Sequence, residues 1–157
     1  MLRSEQALIT AAAAVARYWR QAGIEPLLAG LRGPLGSGKT TWVRAMLRGL
    51  GYTARVPSPT YTLVEEYRVG GLTVVHLDLY RLAAADEIEF LGIRDRLGVP
   101  DVWLLVEWPE RAGPLLRRCD LLVDFRAEDE SRRELAFLAQ SSIGRRALGA
   151  ISELEFR

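Results

Sequence analysis

What this chain lacks narrows the reading before any motif is found. Asparagine is absent, cysteine and histidine occur once each (Cys119, His76), and Lys39 is the single lysine among 21 basic residues. A lone cysteine closes no internal disulfide and builds no multi-cysteine metal site, which fits a reducing cytoplasm. Without asparagine the chain has no guanine reader of the Asn-Lys-x-Asp type, so a GTPase is disfavoured. No apolar run approaches the ~18 residues that a membrane span needs. A net charge of +1 sets up no global basic field. DNA is therefore not expected as a partner, and any RNA contact has to be local or supplied by another protein.

The 157 residues, 49% apolar and 26% charged, are those of an ordinary soluble globular protein, and the length suits one domain spanning residues 1–157. The opening stretch, MLRSEQALITAAAAVARYW, superficially resembles a signal peptide. Glu5 and Gln6 interrupt its start, Thr10 breaks the apolar run, and Arg17 and Arg20 continue an amphipathic pattern. A soluble helix over about Ser4 to Gln21, capped by Ser4, is the expectation. The apolar run Pro26 to Leu31 reads as a buried strand. In the helix that follows the glycine-rich loop, Trp42, Val43, Met46, Leu47 and Leu50 share one face and Gly51 marks the stop. Residues 61–69 and 72–80 read as strands joined across Gly70-Gly71, an antiparallel hairpin. Ala84 to Leu97 looks helical. The run 102–108 has the profile of a central strand covered on both faces. Strands over 121–125 and 133–139 and a short helix complete the chain. This order predicts an α/β fold: a P-loop NTPase-like three-layer sandwich whose mixed sheet has a parallel centre.

The stretch 33-GPLGSGKTT-41 carries the chemistry. Gly33, four residues, then Gly38-Lys39-Thr40 satisfies the P-loop pattern between a strand and a helix. At average residue usage those four fixed positions coincide in roughly one chain in two hundred of this length, and the strand–loop–helix context makes chance rarer. Glycines let successive amides converge on phosphate oxygens, and the helix N-terminus adds partial positive charge. Gly33, Leu35, Gly36, Ser37, Gly38, Lys39, Thr40 and Thr41 are thus expected to bind ATP or ADP. Lys39 reaches the β- and γ-phosphates, and the Thr40 hydroxyl joins a Mg²⁺ shell. An arginine fork would not fit a pocket shaped for a compact ammonium. That explains a lysine surviving in a composition that otherwise drifts to arginine.

Such a site needs a carboxylate at the tip of a neighbouring strand. Glu107 closes the most continuous apolar run and is expected to serve the metal, leaving Asp78 to orient an attacking water or support the magnesium shell. Thr60, in 58-SPT-60, lies where nucleotide switches place a threonine that senses the γ-phosphate; a plain turn is the competing reading. His76 shares a strand face with Asp78, so it either positions that carboxylate or is a hydrogen-bonded structural histidine. Asp86, Glu87 and Glu89 suit a helix first turn. Cys119, before an apolar strand, is expected to be inert.

Taken in order and spacing, 33-GPLGSGKTT-41, 58-SPTYTLVEEY-67, 76-HLDLYRL-82, 87-EIEFLGIRD-95 and 106-VEWPE-110 resemble the TsaE family. That is the small ATPase subunit of bacterial tRNA threonylcarbamoyladenosine synthesis. The similarity is strong from about Leu31 to Glu110. It implies an ATPase that does not make the modification itself but docks on a TsaB–TsaD pair, which acts on adenosine 37 and holds the tRNA. Carried over by motif, Lys39 holds phosphates, Thr40 and Glu107 bind Mg²⁺, Thr60 and Asp78 respond to or act on the γ-phosphate, and Trp108 lies beside the site. The family usually has Asp where this chain has Pro34, so no acidic group sits there and the loop is stiffer.

Two other readings compete. A small-molecule P-loop kinase would use Arg94, Arg96, Arg111 and Arg117 as a lid, although no arginine-rich insertion is present. A nucleotide-gated adaptor would bind the same ligand with hydrolysis incidental.

Overall fold

The computed structural model describes residues 4–127 and 133–154. Six strands form one sheet in the order β2-β3-β4-β1-β5-β6. These are β1 (Leu27–Arg32), β2 (Val64–Val69), β3 (Leu72–Asp78), β4 (Val102–Glu107), β5 (Leu121–Ala127) and β6 (Arg133–Ala139). The four central strands are parallel, and β2 and β6 close the edges antiparallel. The predicted fold class therefore holds: an α/β fold with a parallel centre and an antiparallel hairpin.

One face is covered by long helices. Ser4 caps α1 (Glu5–Gln21) by accepting from the Ala7 amide at 3.0 Å, as its position predicts. Small residues let α1 lie against α2 (Lys39–Gly49): a Cβ on Gly49 would meet Ala13 O at 2.5 Å. Their buried stripes meet Trp103, Leu105, Val123 and Phe125 of the sheet, with α4 (Ser142–Ala150) completing this core. Trp19 packs edge-on to Trp103 at 5.9 Å, and each indole finds a carbonyl, Ala147 O at 2.9 Å and Ile24 O at 2.6 Å. Burying each such side chain stabilises the fold by roughly 1.5–3 kcal/mol.

The opposite face differs from expectation. Residues 84–97 do not form an α-helix; they make 3₁₀ turns over Ala85–Leu91 and Arg94–Arg96. Gly92 at φ 66° separates the two, and Ala85–Leu91 has no fully buried residue, so no continuous apolar stripe seats a helix there. These turns and α3 (Gly113–Arg118), which the sequence reading left out, cover Val75, Leu77, Leu104 and Val106. The hairpin does turn on Gly70-Gly71, both at positive φ. Its first strand begins at Val64 rather than residue 61 because Leu63 takes φ 63°.

Candidate functional site

The carboxyl ends of β1, β3 and β4 converge on a cleft of about 420 Å³, the position where open parallel sheets hold ligands. The loop after β1 forms its floor. Gly33 (φ 144°) presses on β5, where a Cβ would meet Phe125 O at 2.5 Å; Gly38 (φ 103°) passes beneath Leu8, where a Cβ would meet Cδ2 at 2.6 Å. Both positions exclude a side chain. The first helical bond of α2 runs from Trp42 N to Gly38 O, so the amides of Lys39, Thr40 and Thr41 are the unpaired donors of a helix start. Among the described residues the loop amides of Leu35, Gly36 and Gly38 also find no acceptor. Six donors at the positive end of a helix make an anion site.

Lys39 is 4% exposed. Its ammonium donates to Gly33 O at 2.7 Å, Pro34 O at 2.8 Å and Ser37 Oγ at 3.2 Å, and it lies 4.3 Å from the centre of the Trp108 ring. Burial holds its pKa below the ordinary lysine value, against the opposing pull of Glu107 and Asp78. Pro34 thus acts through its carbonyl, which also accepts from Ser37 N. Trp108 takes φ 58°, uncommon for a bulky residue and a sign of backbone strain kept at a site. Its amide is tied to Leu31 O at 3.1 Å, which aims the chain back over the loop.

Thr40 Oγ1 donates to Glu107 Oε1 at 2.8 Å, joining the two residues predicted to share a metal. Asp78 is Glu107's register partner on β3 and is 6% exposed. Burial first, and the Glu107 charge, push its carboxyl above the ordinary aspartate range, while the Tyr80 amide at 3.0 Å pulls the other way. Thr60 Oγ1 stands 3.5 Å from Asp78 Oδ2 and 2.7 Å from Ser58 Oγ, and its loop is pinned by Asp78 N donating to Leu63 O. His76 turns out to serve the other carboxylate: Nε2 lies 2.7 Å from Glu107 Oε1. Strand parity put it on the right face; the carboxylate it meets stands diagonally across on β4, since Leu105 is the register partner of His76 and Glu107 that of Asp78.

Leu35, Gly36, Ser37, Gly38, Thr40, Thr41, Thr60 and Trp108 all border the cleft with Lys39, Asp78 and Glu107; Gly33 does not, and contributes its carbonyl to Lys39 instead. The sequence reading missed Glu5, Leu8, Tyr80, Arg81 and Arg133 on the cleft wall. Tyr80 and Arg81 directly follow the strand-end Asp78, a signal that was there to use. Arg133 carries none, since only the pairing of β6 on β5 brings it over. Arg94 pairs with Glu89 and Arg96 with Glu66, both away from the cleft; Arg111 lies 5.6 Å from the Tyr80 ring centre. Cys119 is 2% exposed, and burial pushes its thiol up to about 12, so it stays protonated and inert, as expected.

Among the described residues no three His, Cys, Asp or Glu side chains form a metal cage. Thr40 and Glu107 offer two hard oxygen donors, a set that suits a magnesium ion completed by phosphate and water rather than an all-protein site. The fold and cleft together define an α/β protein with free amides along a strand–loop–helix and two carboxylates on adjacent strands.

Comparison with known proteins gives the family. The family model described as "Threonylcarbamoyl adenosine biosynthesis protein TsaE" matches residues 2–135, and the chain belongs to the TsaE family. It is 44% identical over 122 residues to the tRNA threonylcarbamoyladenosine biosynthesis protein TsaE of Haemophilus influenzae, covering 78% of this chain and 76% of that one. To the TsaE protein of Aquifex aeolicus it is 39% identical over 107 residues, 67% and 71% of the two chains. A solved structure titled "Crystal structure of Bacillus subtilus YdiB" superposes with a TM-score of 0.68 at 26% identity, covering 92% of this chain and 88% of that one.

Proposed function

We propose that this chain is a Mg²⁺-dependent ATPase that serves tRNA threonylcarbamoyladenosine biosynthesis by docking on a TsaB–TsaD-like pair in the cytoplasm. The observation that carries the site reading is the 2.8 Å bond between Thr40 and Glu107 in the cleft that the loop residues also line. The family names carry the pathway. The free amides and Lys39 hold the phosphates, and Thr40 with Glu107 holds magnesium, which when bound neutralises phosphate charge and orients the γ-phosphate. Asp78 accepts a proton from, or orients, a water at that phosphate, with Thr60 at its side. Trp108 screens the lysine from bulk solvent. RNA is held by the partners, in keeping with the near-neutral charge.

A kinase is less well supported, because Arg94 and Arg96 are paired away from the cleft and supply no lid. The test is free phosphate released from ATP and Mg²⁺, with and without the TsaB–TsaD pair, with Lys39→Ala as the blank. Slow release that rises sharply with the pair is expected. Release unchanged by the pair would remove the docking role, and ADP formed only with a small-molecule acceptor would favour the kinase.

A further inference from the structure

His76 supports the site without reaching the cleft. It is 0% exposed and lies on β3 two residues before Asp78. Val75 and Leu77, on either side of it, turn to the other face and join the second core. That places the imidazole on the α2 side of the sheet, beneath Glu107. Its Nε2 is 2.7 Å from Glu107 Oε1, the same oxygen that accepts from Thr40 at 2.8 Å. Its Nδ1 is buried and has no partner among the described residues.

Those contacts settle the tautomer. A proton on Nδ1 would be a stranded buried donor, whereas on Nε2 it has an acceptor. The ring therefore donates Nε2–H to Glu107. Oε1 is consumed by two donors, and among the described residues Oε2 takes no hydrogen bond. Thr40 gives its hydrogen to Oε1 and keeps its lone pairs. One clamp thus leaves two oxygens free to accept, one from each of the residues assigned to the metal. An apolar side chain at position 76 would fill the same space without leaving a buried nitrogen unsatisfied, so packing alone does not explain the imidazole.

We propose that His76 is a positioning residue for magnesium: it holds the Glu107 carboxylate so that its second oxygen meets the cation or a water bound to it. The inference rests on the site reading given above. Outer hydrogen bonds of this kind are commonly worth 10–100-fold in metal affinity.

The test is equilibrium binding of AMP-PNP, a non-hydrolysable ATP analogue, measured in Mg²⁺ and again in EDTA. Wild type, His76→Leu, His76→Gln and His76→Asn are compared, with thermal melting of each. Gln extends an amide donor to about where Nε2 stood; Asn stops short of Glu107. Wild type is expected to bind more tightly in Mg²⁺. His76→Leu and His76→Asn should lose about tenfold of that gain while keeping their affinity in EDTA, and His76→Gln should restore most of it. If His76→Leu does not fold, the Gln and Asn pair decides the matter. Variants that lose affinity equally in Mg²⁺ and EDTA, or that keep the whole magnesium gain, would overturn the role of His76. A wild type that binds no better in Mg²⁺ would instead overturn the metal assignment of Thr40 and Glu107, and this inference with it.

Discussion

The two ends of the parallel strands each hold an aspartate, put to opposite uses. At the amino end Asp120 commits its oxygens to the fold: Oδ2 accepts from Leu28 N at 2.9 Å, Oδ1 from Ser141 Oγ at 2.6 Å, and its carbonyl from Gln140 N at 2.8 Å. Those bonds stitch β1 to the β5 entry and to the cap of α4. At the carboxyl end Asp78 is more deeply buried, takes one short bond from the Tyr80 amide and one long contact from Thr60, and borders an open cleft. A carboxylate whose oxygens are satisfied internally is structural. One buried at a cleft, with a raised pKa and spare acceptor capacity, is a candidate for chemistry.

That contrast can be broken from either end. The largest effect is expected for Lys39→Ala, which removes charge-assisted bonds of ~1.5–3 kcal/mol each and should weaken ATP binding by about 100-fold or more. Equilibrium binding checks that loss, and calorimetry separates it from any change in stability, since the same substitution strands Gly33 O and Pro34 O.

Asp78→Asn comes next, with phosphate release expected to drop about 10²-fold. Its effect on stability has the opposite sign. Since the folded pKa of Asp78 is raised, the native state resists ionisation, and the resulting penalty grows as pH climbs from the ordinary aspartate range through the raised folded value. Asp78→Asn should therefore melt above wild type at pH 7, with the gap closing as the pH is lowered towards that ordinary range. A gap that widens in acid would contradict the assignment.

The smallest functional effect belongs to Asp120→Ala. Denaturant unfolding should show a loss of about 2–3 kcal/mol from the stranded Leu28 amide and Ser141 hydroxyl, while ATP affinity stays within about twofold. Loss of binding on a scale like that of Lys39→Ala would mean that the two ends are not separable.

Much of this was legible in the chain because the deciding signals are local. The run 102-VWLLVE-107 is apolar on both faces and ends in a charge, so it announced a central strand and its site residue together. The loop glycines and Gly70-Gly71 stand where positive φ is required. What escaped depended on contacts distant in sequence. Whether 84–97 winds as α-helix or 3₁₀ turns is decided by the surface it covers. The partner of His76 depends on the register of β4 against β3, and Arg133 reaches the cleft only through strand order.

The central claim is that hydrolysis at this cleft supports tRNA modification, and Glu107→Ala tests it most directly. Threonylcarbamoyladenosine formed per TsaB–TsaD pair would be followed over many turnovers, with wild type or Glu107→Ala supplied. The account predicts that wild type sustains repeated turnover and that Glu107→Ala, having lost phosphate release, stalls near the first. Undiminished modification with hydrolysis abolished would contradict it, and would make this chain a nucleotide-gated adaptor instead.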